Sequence, residues 1–328
     1  MKKLLASTML AGLMMTGAHA QDLEPLTFQL KWVNQGQFAG YLVAKDLGYY
    51  EEEGLDVTIN PGGPDIAPEQ VIAGGGADVI TTWMAAALAA RERGVPIVNI
   101  AQPFQGSALQ LVCSEESGVT STDDFPGKTL GVWFFGNEYP FYAWMAKLGY
   151  ETEGGDEGVE VLRQAFSADP LLQGQADCIS TMRYNEYKQI LDAGIPEDSL
   201  TVFNFLDQGV GMLEDGIYVL EEDLADEAFV DKMVRFVRAS MRGWEYAKEN
   251  PQEAAEIVLE NDMSGALQLE SQVYQVEEAA ALVGDSAALD EAAYDQTVQT
   301  LLNAVSPDNP AISAEPEGAF STVVTDQL

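Results

Sequence analysis

From Leu26 onward, short apolar runs alternate with stretches of helical period, the pattern of an α/β protein with largely parallel sheets. The runs predict strands over 26–30, 55–59, 77–82 and 95–100, then over 108–113, 129–133, 159–163, 176–180, 200–205 and 217–221. Helical spacing predicts one helix over 38–53, ended by Gly54, and another over 83–93. A short helix and turn is expected over 122–128, and a further helix starts at Pro140, where a missing N–H is tolerated. Beyond residue 226 the chain reads as almost wholly helical, with an amphipathic helix over 229–250 stopped by Pro251.

Two such α/β sets, joined by strand-like crossings near 110–113 and 205–218, imply two lobes with a cleft between them. The expected division is 21–112 with 208–328 as lobe 1 and 113–207 as lobe 2. Interlobe clefts favour small-ligand sites, and two crossings form a hinge, so closure over a ligand is the expected motion.

The N-terminus changes the setting. Lys2 and Lys3, an apolar run over 4–15 and Ala18-His19-Ala20 match a secretory signal cleaved before Gln21, leaving about 308 residues. No cysteine stands at the cleavage point, which argues against a lipid anchor, and no later apolar run reaches the length of a membrane span. Formal charge is −37, and losing Lys2 and Lys3 lowers the basic residues from 16 to 14. Nucleic acid and anionic membrane are therefore poor partners, and the scattered acids read as a hydrated surface. Calcium-loop spacing is absent. The only histidine is His19, so the mature chain has no imidazole for a Ser-His-Asp or Cys-His site or for zinc. Cys113 and Cys178 lie 65 residues apart in a disulfide-permissive compartment; each falls in a strand-like stretch, which favours two separate thiols, although spacing does not decide it.

In open α/β sheets ligands sit beyond the carboxyl ends of the strands. That rule selects Trp32, Asn34, Gln35, Gln37 and Phe38, then residues 62–65 including Pro64, then Thr82 and Trp83, and in the other lobe 136–141 and 182–187. The stretch 131–145 packs seven aromatics around a Gly-Asn-Glu turn, with backbone N–H groups, an amide and a carboxylate beside flat rings. Trp133 and Trp144 within it read as core. These loops lack a phosphate-binding glycine fingerprint, and Lys31 and Arg183 are their main basic residues, which disfavours polyphosphates. An uncharged or cationic nitrogen heterocycle fits better, with Glu138 or Glu186 accepting from an exocyclic amine while an aromatic stacks. The bland alternative makes both glutamates solvated residues at helix starts. Glu214 and Asp215 stand beside the second crossing, and Asp78 and Asp177 are expected to shape strand starts rather than touch ligand.

With these residues placed, the chain resembles the periplasmic substrate-binding proteins of ABC transporters. It is most similar to the branch that binds pyrimidine precursors of thiamine, which is related to the thiamine-pyrimidine synthases and to sulfonate- and nitrate-binding proteins. The likeness runs through Leu30-Lys31-Trp32-Val33, Gln37-Phe38-Ala39-Gly40-Tyr41, Pro61-Gly62-Gly63-Pro64-Asp65, Gly136-Asn137-Glu138-Tyr139-Pro140 and Tyr184-Asn185-Glu186-Tyr187. It implies a type II periplasmic-binding fold and a monomer without cofactor. It also implies a formylaminopyrimidine- or hydroxymethylpyrimidine-like ligand, and delivery to a membrane permease with its ATPase. By motif, Trp32 and Tyr184 become stacking candidates, Glu186 the carboxylate, and Asn137 and Glu138 polar contacts; Tyr139 and Asn185 lie in the same motifs. The synthases consume an active-site histidine with pyridoxal phosphate and carry a cysteine-rich motif; neither feature is present in the mature chain. Asn34 stands where the family often has proline, adding a hydrogen-bonding side chain near the pocket. Other cargoes compatible with the same receptor role are a flavin, a nucleobase or a sulfonate, and a carboxylate-dependent exported hydrolase is the remote alternative.

Overall fold

The computed structural model describes residues 23–165, 167–303 and 311–328; the expected signal segment lies outside them. Lobe 1 begins with β1 (Glu24–Gln29), α1 (Ala39–Asp46), α2 (Tyr49–Glu52) and β2 (Leu55–Asn60). It continues with α3 (Pro68–Ala73), β3 (Val79–Thr82), α4 (Met84–Glu92) and β4 (Ile97–Ala101). The chain then crosses into lobe 2, which holds β5 (Leu109–Ser114), β6 (Thr129–Val132), α5 (Tyr139–Leu148), β7 (Glu160–Arg163), α6 (Asp169–Leu172), β8 (Cys178–Met182), α7 (Glu186–Asp192) and β9 (Leu200–Asn204). A second crossing returns to β10 (Gly216–Leu220), followed by α8 (Glu227–Glu249), α9 (Pro251–Glu260), α10 (Leu269–Ala280) and α11 (Glu291–Asn303).

The sheets run β2-β1-β3-β10-β4 and β7-β6-β8-β5-β9. In each, the strand that has just crossed from the other lobe, β10 or β5, enters antiparallel to both its neighbours. The lobes are thus two versions of one design, the type II periplasmic-binding arrangement. Asp78 and Asp177 occupy equivalent posts. The N–H of Thr27 donates to Asp78 Oδ2 at 2.6 Å, and that of Thr129 donates to Asp177 Oδ2 at 2.8 Å. Each aspartate's own N–H returns a bond to the same threonine, so both seal a strand start as the sequence suggested.

Glycine decides how lobe 1 packs. A Cβ on Gly40 would come within 2.3 Å of the Trp244 ring, and one on Gly243 within 2.0 Å of the Gly40 carbonyl. Bare backbone at both positions lets α1 lie directly on α8, whose Val230, Met233, Phe236, Val237 and Trp244 are buried.

Several expectations are corrected. The helix foreseen over 38–53 is a 3-10 turn over Gly36–Phe38 followed by α1 and α2, broken at Gly48, which takes φ 76°. Helix α8 ends at Glu249 ahead of Pro251, as expected, and Pro251 in addition opens the next helix, at the first turn of α9. The chain is not helical to its end: Ala319 and Ser321 exchange backbone bonds with Asn99, laying the tail along the β4 edge. Cys113 and Cys178 are not separate thiols; they face each other across the β5 and β8 register and form a disulfide. The sequence placed each in a strand but could not show those strands as neighbours.

Candidate ligand-binding cleft

Ten side chains close on a cavity between the lobes, five from each. Lobe 1 supplies Lys31, Trp32, Gln35, Gln37 and Trp83, and lobe 2 supplies Trp133, Asn137, Met182, Tyr184 and Glu186. Each set follows the ends of equivalent strands, β1 and β3 on one side and β6 and β8 on the other. The cavity measures about 30 Å³, room for about one water rather than a ring. A ring-sized ligand does not fit the cavity in this closed arrangement.

On lobe 1, Trp32 is placed by the close approach of two loops. Its carbonyl accepts from the Gly62 N–H at 2.8 Å, and a Cβ on Gly62 would meet the Leu30 carbonyl at 2.4 Å. Trp83 stands immediately before α4. The Lys31 ammonium lies 6.0 Å from the Trp83 ring centre and donates to the Phe135 carbonyl of lobe 2 at 3.3 Å. Gln35 Nε2 donates to Gln37 Oε1 at 2.8 Å, and Gln37 Nε2 donates to Asp215 Oδ2 at 2.6 Å.

On lobe 2, side chains are tied to local backbone. Trp133 Nε1 donates to the Ala165 carbonyl at 2.6 Å and Asn137 Nδ2 to the Phe134 carbonyl at 2.8 Å. Glu186 opens α7 and accepts from the Met182 N–H at 2.9 Å and from Asn185 Nδ2 at 2.7 Å. Trp32 and Trp133 meet across the cleft, ring centres 6.4 Å apart and planes at 60°. The Tyr184 hydroxyl is buried and has no hydrogen-bond partner among the described residues.

Among the described residues, the two non-glycine positions with positive φ are Phe135 at 61° and Asp215 at 37°. Both hold a lobe 1 side chain of the cleft, Lys31 and Gln37 respectively, so the strained backbone coincides with the site. Gly136, at φ 93°, follows Phe135 and lies so close to α4 that a Cβ would come within 2.5 Å of the Ala86 side chain. Glu214 ties the two crossings together: it accepts from Ser107 Oγ at 2.6 Å and from the Ala108 N–H.

Three buried carboxyls are displaced upward. Burial pushes Glu186 up to about 7, against the pull of its bonds from Met182 and Asn185. Burial pushes Glu214 up to about 8, with the Ser107 hydroxyl opposing and the Asp215 charge adding to it. Burial pushes Asp215 up to about 6, opposed by the Gln37 amide and the Lys31 charge.

Of the residues nominated from sequence, Trp32, Gln37, Trp83, Asn137, Tyr184 and Glu186 line this cavity. The others are not among its lining, although Asn185 reaches its edge, where Nδ2 lies 3.5 Å from Gln35 Oε1. Phe38 is fully buried in the lobe 1 core. Asn34 Nδ2 donates to the Asn261 carbonyl, and the Tyr139 hydroxyl accepts from Arg93. Glu138 accepts from the Gly136 N–H and braces the turn, while Asn185 bonds Glu186 and Gln189. Pro64 lines an adjoining cavity of about 180 Å³ with Asp65 and Arg163, beyond the Trp32–Trp133 pair. Trp133 had read as core; it is buried, as expected, yet also forms a cleft wall, while Trp144 is core alone. Asp215 carries no motif signal, because a lone aspartate in so acidic a chain stands out only by its position at a crossing.

Comparison with known proteins agrees with this architecture. The chain is 26% identical over 249 residues to the formylaminopyrimidine-binding protein of Halalkalibacterium halodurans, covering 75% of this chain and 73% of the relative. It is 27% identical over 274 residues to the riboflavin-binding protein RibY of Chloroflexus aurantiacus, covering 79% and 75%. The solved periplasmic aliphatic sulphonate binding protein SsuA of Escherichia coli superposes with a TM-score of 0.65 at 13% identity, over 90% of each chain, a likeness of fold. The family model described as NMT1/THI5 like matches residues 35–254, from the first cleft glutamine through both crossings to α9, and the chain belongs to that family.

Proposed function

We propose that this chain is the solute receptor of an ABC importer, exported to the periplasm by cleavage near Gln21 and acting as a monomer. It closes over a pyrimidine precursor of thiamine, of the formylaminopyrimidine or hydroxymethylpyrimidine kind, and delivers it to a permease and its ATPase. The observation that carries this reading is Glu186: a carboxylate removed from water, at the mouth of α7, in a cleft walled by Trp32, Trp83, Trp133 and Tyr184. Such a group is stabilised by a ligand that brings N–H donors on a flat face. Trp32 and Tyr184 are the stacking rings of the proposal, and the unpaired Tyr184 hydroxyl and Asn137 are further polar contacts. The hinge motion follows from the two crossings bound together at Glu214.

The reading is of a receptor, not an enzyme. The chain beyond His19 has no histidine for the chemistry that the resemblance assigns to the synthases. A hydrolase relying on carboxylates is met by a glycoside turnover assay with purified protein, in which any turnover above background would revive it.

A flavin is the second reading, favoured by the adjoining 180 Å³ cavity, into which a longer ligand could extend past the tryptophan pair. The test is a thermal-shift screen of the mature protein against hydroxymethylpyrimidine, formylaminopyrimidine, thiamine, riboflavin, nucleobases and taurine. A ligand at about a hundred times its Kd stabilises the folded state by about 2.7 kcal/mol. Stabilisation by aminopyrimidines supports the proposal; stabilisation by riboflavin, bases or taurine alone keeps the receptor and replaces the cargo.

A further inference from the structure

We propose that Asp215, outside the ring of side chains that faces the cleft, is a positioning residue that fixes which end of Gln35 meets the ligand. The inference deepens the reading of the cleft as an aminopyrimidine site and rests on it for the choice of probes. Its basis is a chain of three buried side chains. A carboxylate can only accept, so Gln37 must turn its NH₂ to Asp215, where Nε2 lies 2.6 Å from Oδ2. That orientation turns the Gln37 carbonyl toward Gln35, and Gln35 answers with its own NH₂ at 2.8 Å. With its NH₂ side turned to Gln37, Gln35 directs its carbonyl oxygen the other way. That atom faces lobe 2, where Asn185 Nδ2 approaches it at 3.5 Å, a long contact that a ligand donor can replace.

An amide is nearly symmetric in shape, so nothing in the outline of the cleft decides whether Gln35 offers oxygen or NH₂. The decision is made two residues away, at the second crossing, where Asp215 is held at φ 37° and is fully buried. Lobe 1 therefore presents an acceptor to the cleft, opposite the acceptor presented by Glu186 of lobe 2. A ring edge bearing an exocyclic amine satisfies such a site. The 4-oxo counterpart sets oxygen against oxygen and leaves a buried acceptor unpaired.

The test compares the Kd of a 4-aminopyrimidine and its 4-oxo analogue by calorimetry. Native protein should prefer the amine by tenfold or more. Asp215→Asn can donate where aspartate could not, which frees the relay to reverse, and the preference should fall at least tenfold toward parity. Adding Gln35→Glu to Asp215→Asn restores an acceptor whichever way Gln37 turns, and should restore the preference. A folded Asp215→Asn that keeps the native ratio overturns the proposal. A ligand-free readout stands beside it: by NMR, the side-chain amide protons of Gln35 should be protected from solvent exchange in the native chain and lose that protection in Asp215→Asn. Freely exchanging Gln35 amide protons in the native chain would overturn the relay on their own. If neither pyrimidine binds, the assignment of cargo fails, and the NMR result still decides the relay.

Discussion

Lobe 1 and lobe 2 bring equivalent strand ends to the cleft, but they hold their side chains by different means. Trp133, Asn137 and Glu186 are each bonded to backbone of their own lobe, at Ala165, Phe134 and Met182. Lys31 and Gln37 are instead held from outside lobe 1's first segment, at Phe135 of the opposite lobe and Asp215 of the crossing. The lobe 2 side chains thus keep these bonds within their own lobe, whereas the Lys31 bond to the Phe135 carbonyl spans the cleft and depends on the lobes being closed. On the proposed receptor reading, the difference predicts an order of binding: ligand docking on lobe 2 first, with lobe 1 completing its contacts as the hinge closes.

The strongest way to break this comparison is to loosen lobe 2. Removing the Cys113–Cys178 bridge, by reduction or by a double alanine variant, should lower stability by about 2–4 kcal/mol, read as a fall in the urea midpoint. Binding should weaken with it if the lobe 2 side of the cleft depends on that sheet.

The next effect contrasts the lobes directly. Glu186→Gln, on the lobe 2 side, should weaken ligand by about 1.5–3 kcal/mol, tenfold or more, chiefly through faster release. Lys31→Met removes the cross-cleft bond to Phe135 and should cost about 1 kcal/mol. Scattering or tryptophan fluorescence should then find the ligand bound with the lobes less closed. Equal effects from the two variants would erase the proposed order.

The smallest effect sharpens the role of the crossings. Glu186, Glu214 and Asp215 all have folded values raised above those of an unfolded chain, to about 7, 8 and 6. The folded state therefore keeps protons that the unfolded state has released. Their stabilising contribution is fully present below about pH 4 and is lost as pH rises through 6 to 8. Tm should fall by several degrees between pH 5 and pH 8, and Glu214→Gln should flatten that slope more than Asp78→Asn, which touches none of the three. A slope unchanged in Glu214→Gln would remove that carboxyl from the account.

Much of this architecture is readable from sequence because it is local. Gly54, in the left-handed region at φ 77°, ends α2 where the helical pattern stops, and the two aspartates before β3 and β8 announce strand starts. Trp32, Trp83, Asn137, Tyr184 and Glu186 follow strand ends, which is where open sheets put ligands. What the sequence hid depends on neighbours far along the chain. Phe38 sits among nominated residues but turns into the core, because the Gly36–Phe38 turn rotates it away from Gln35 and Gln37. The disulfide needed the adjacency of β5 and β8, and the role of Asp215 needed Gln37, 178 residues away in the chain.

The path of the chain through the two sheets also sets a timetable. Lobe 2's sheet, from Leu109 to Asn204, is one uninterrupted stretch and has all its strands once residue 204 has emerged. Lobe 1's sheet begins at Glu24, yet β10 arrives only at Gly216, and the β4 edge stays uncovered until Ala319 and Ser321 pair with Asn99. A chain emerging from its N-terminus therefore holds the β4 edge open to other chains until residues 319–321 follow it. Residues 319–321 are thereby expected to latch the β4 edge of the nascent protein, and a truncation from Ala319 onward should surface first as aggregation during production rather than as weaker binding.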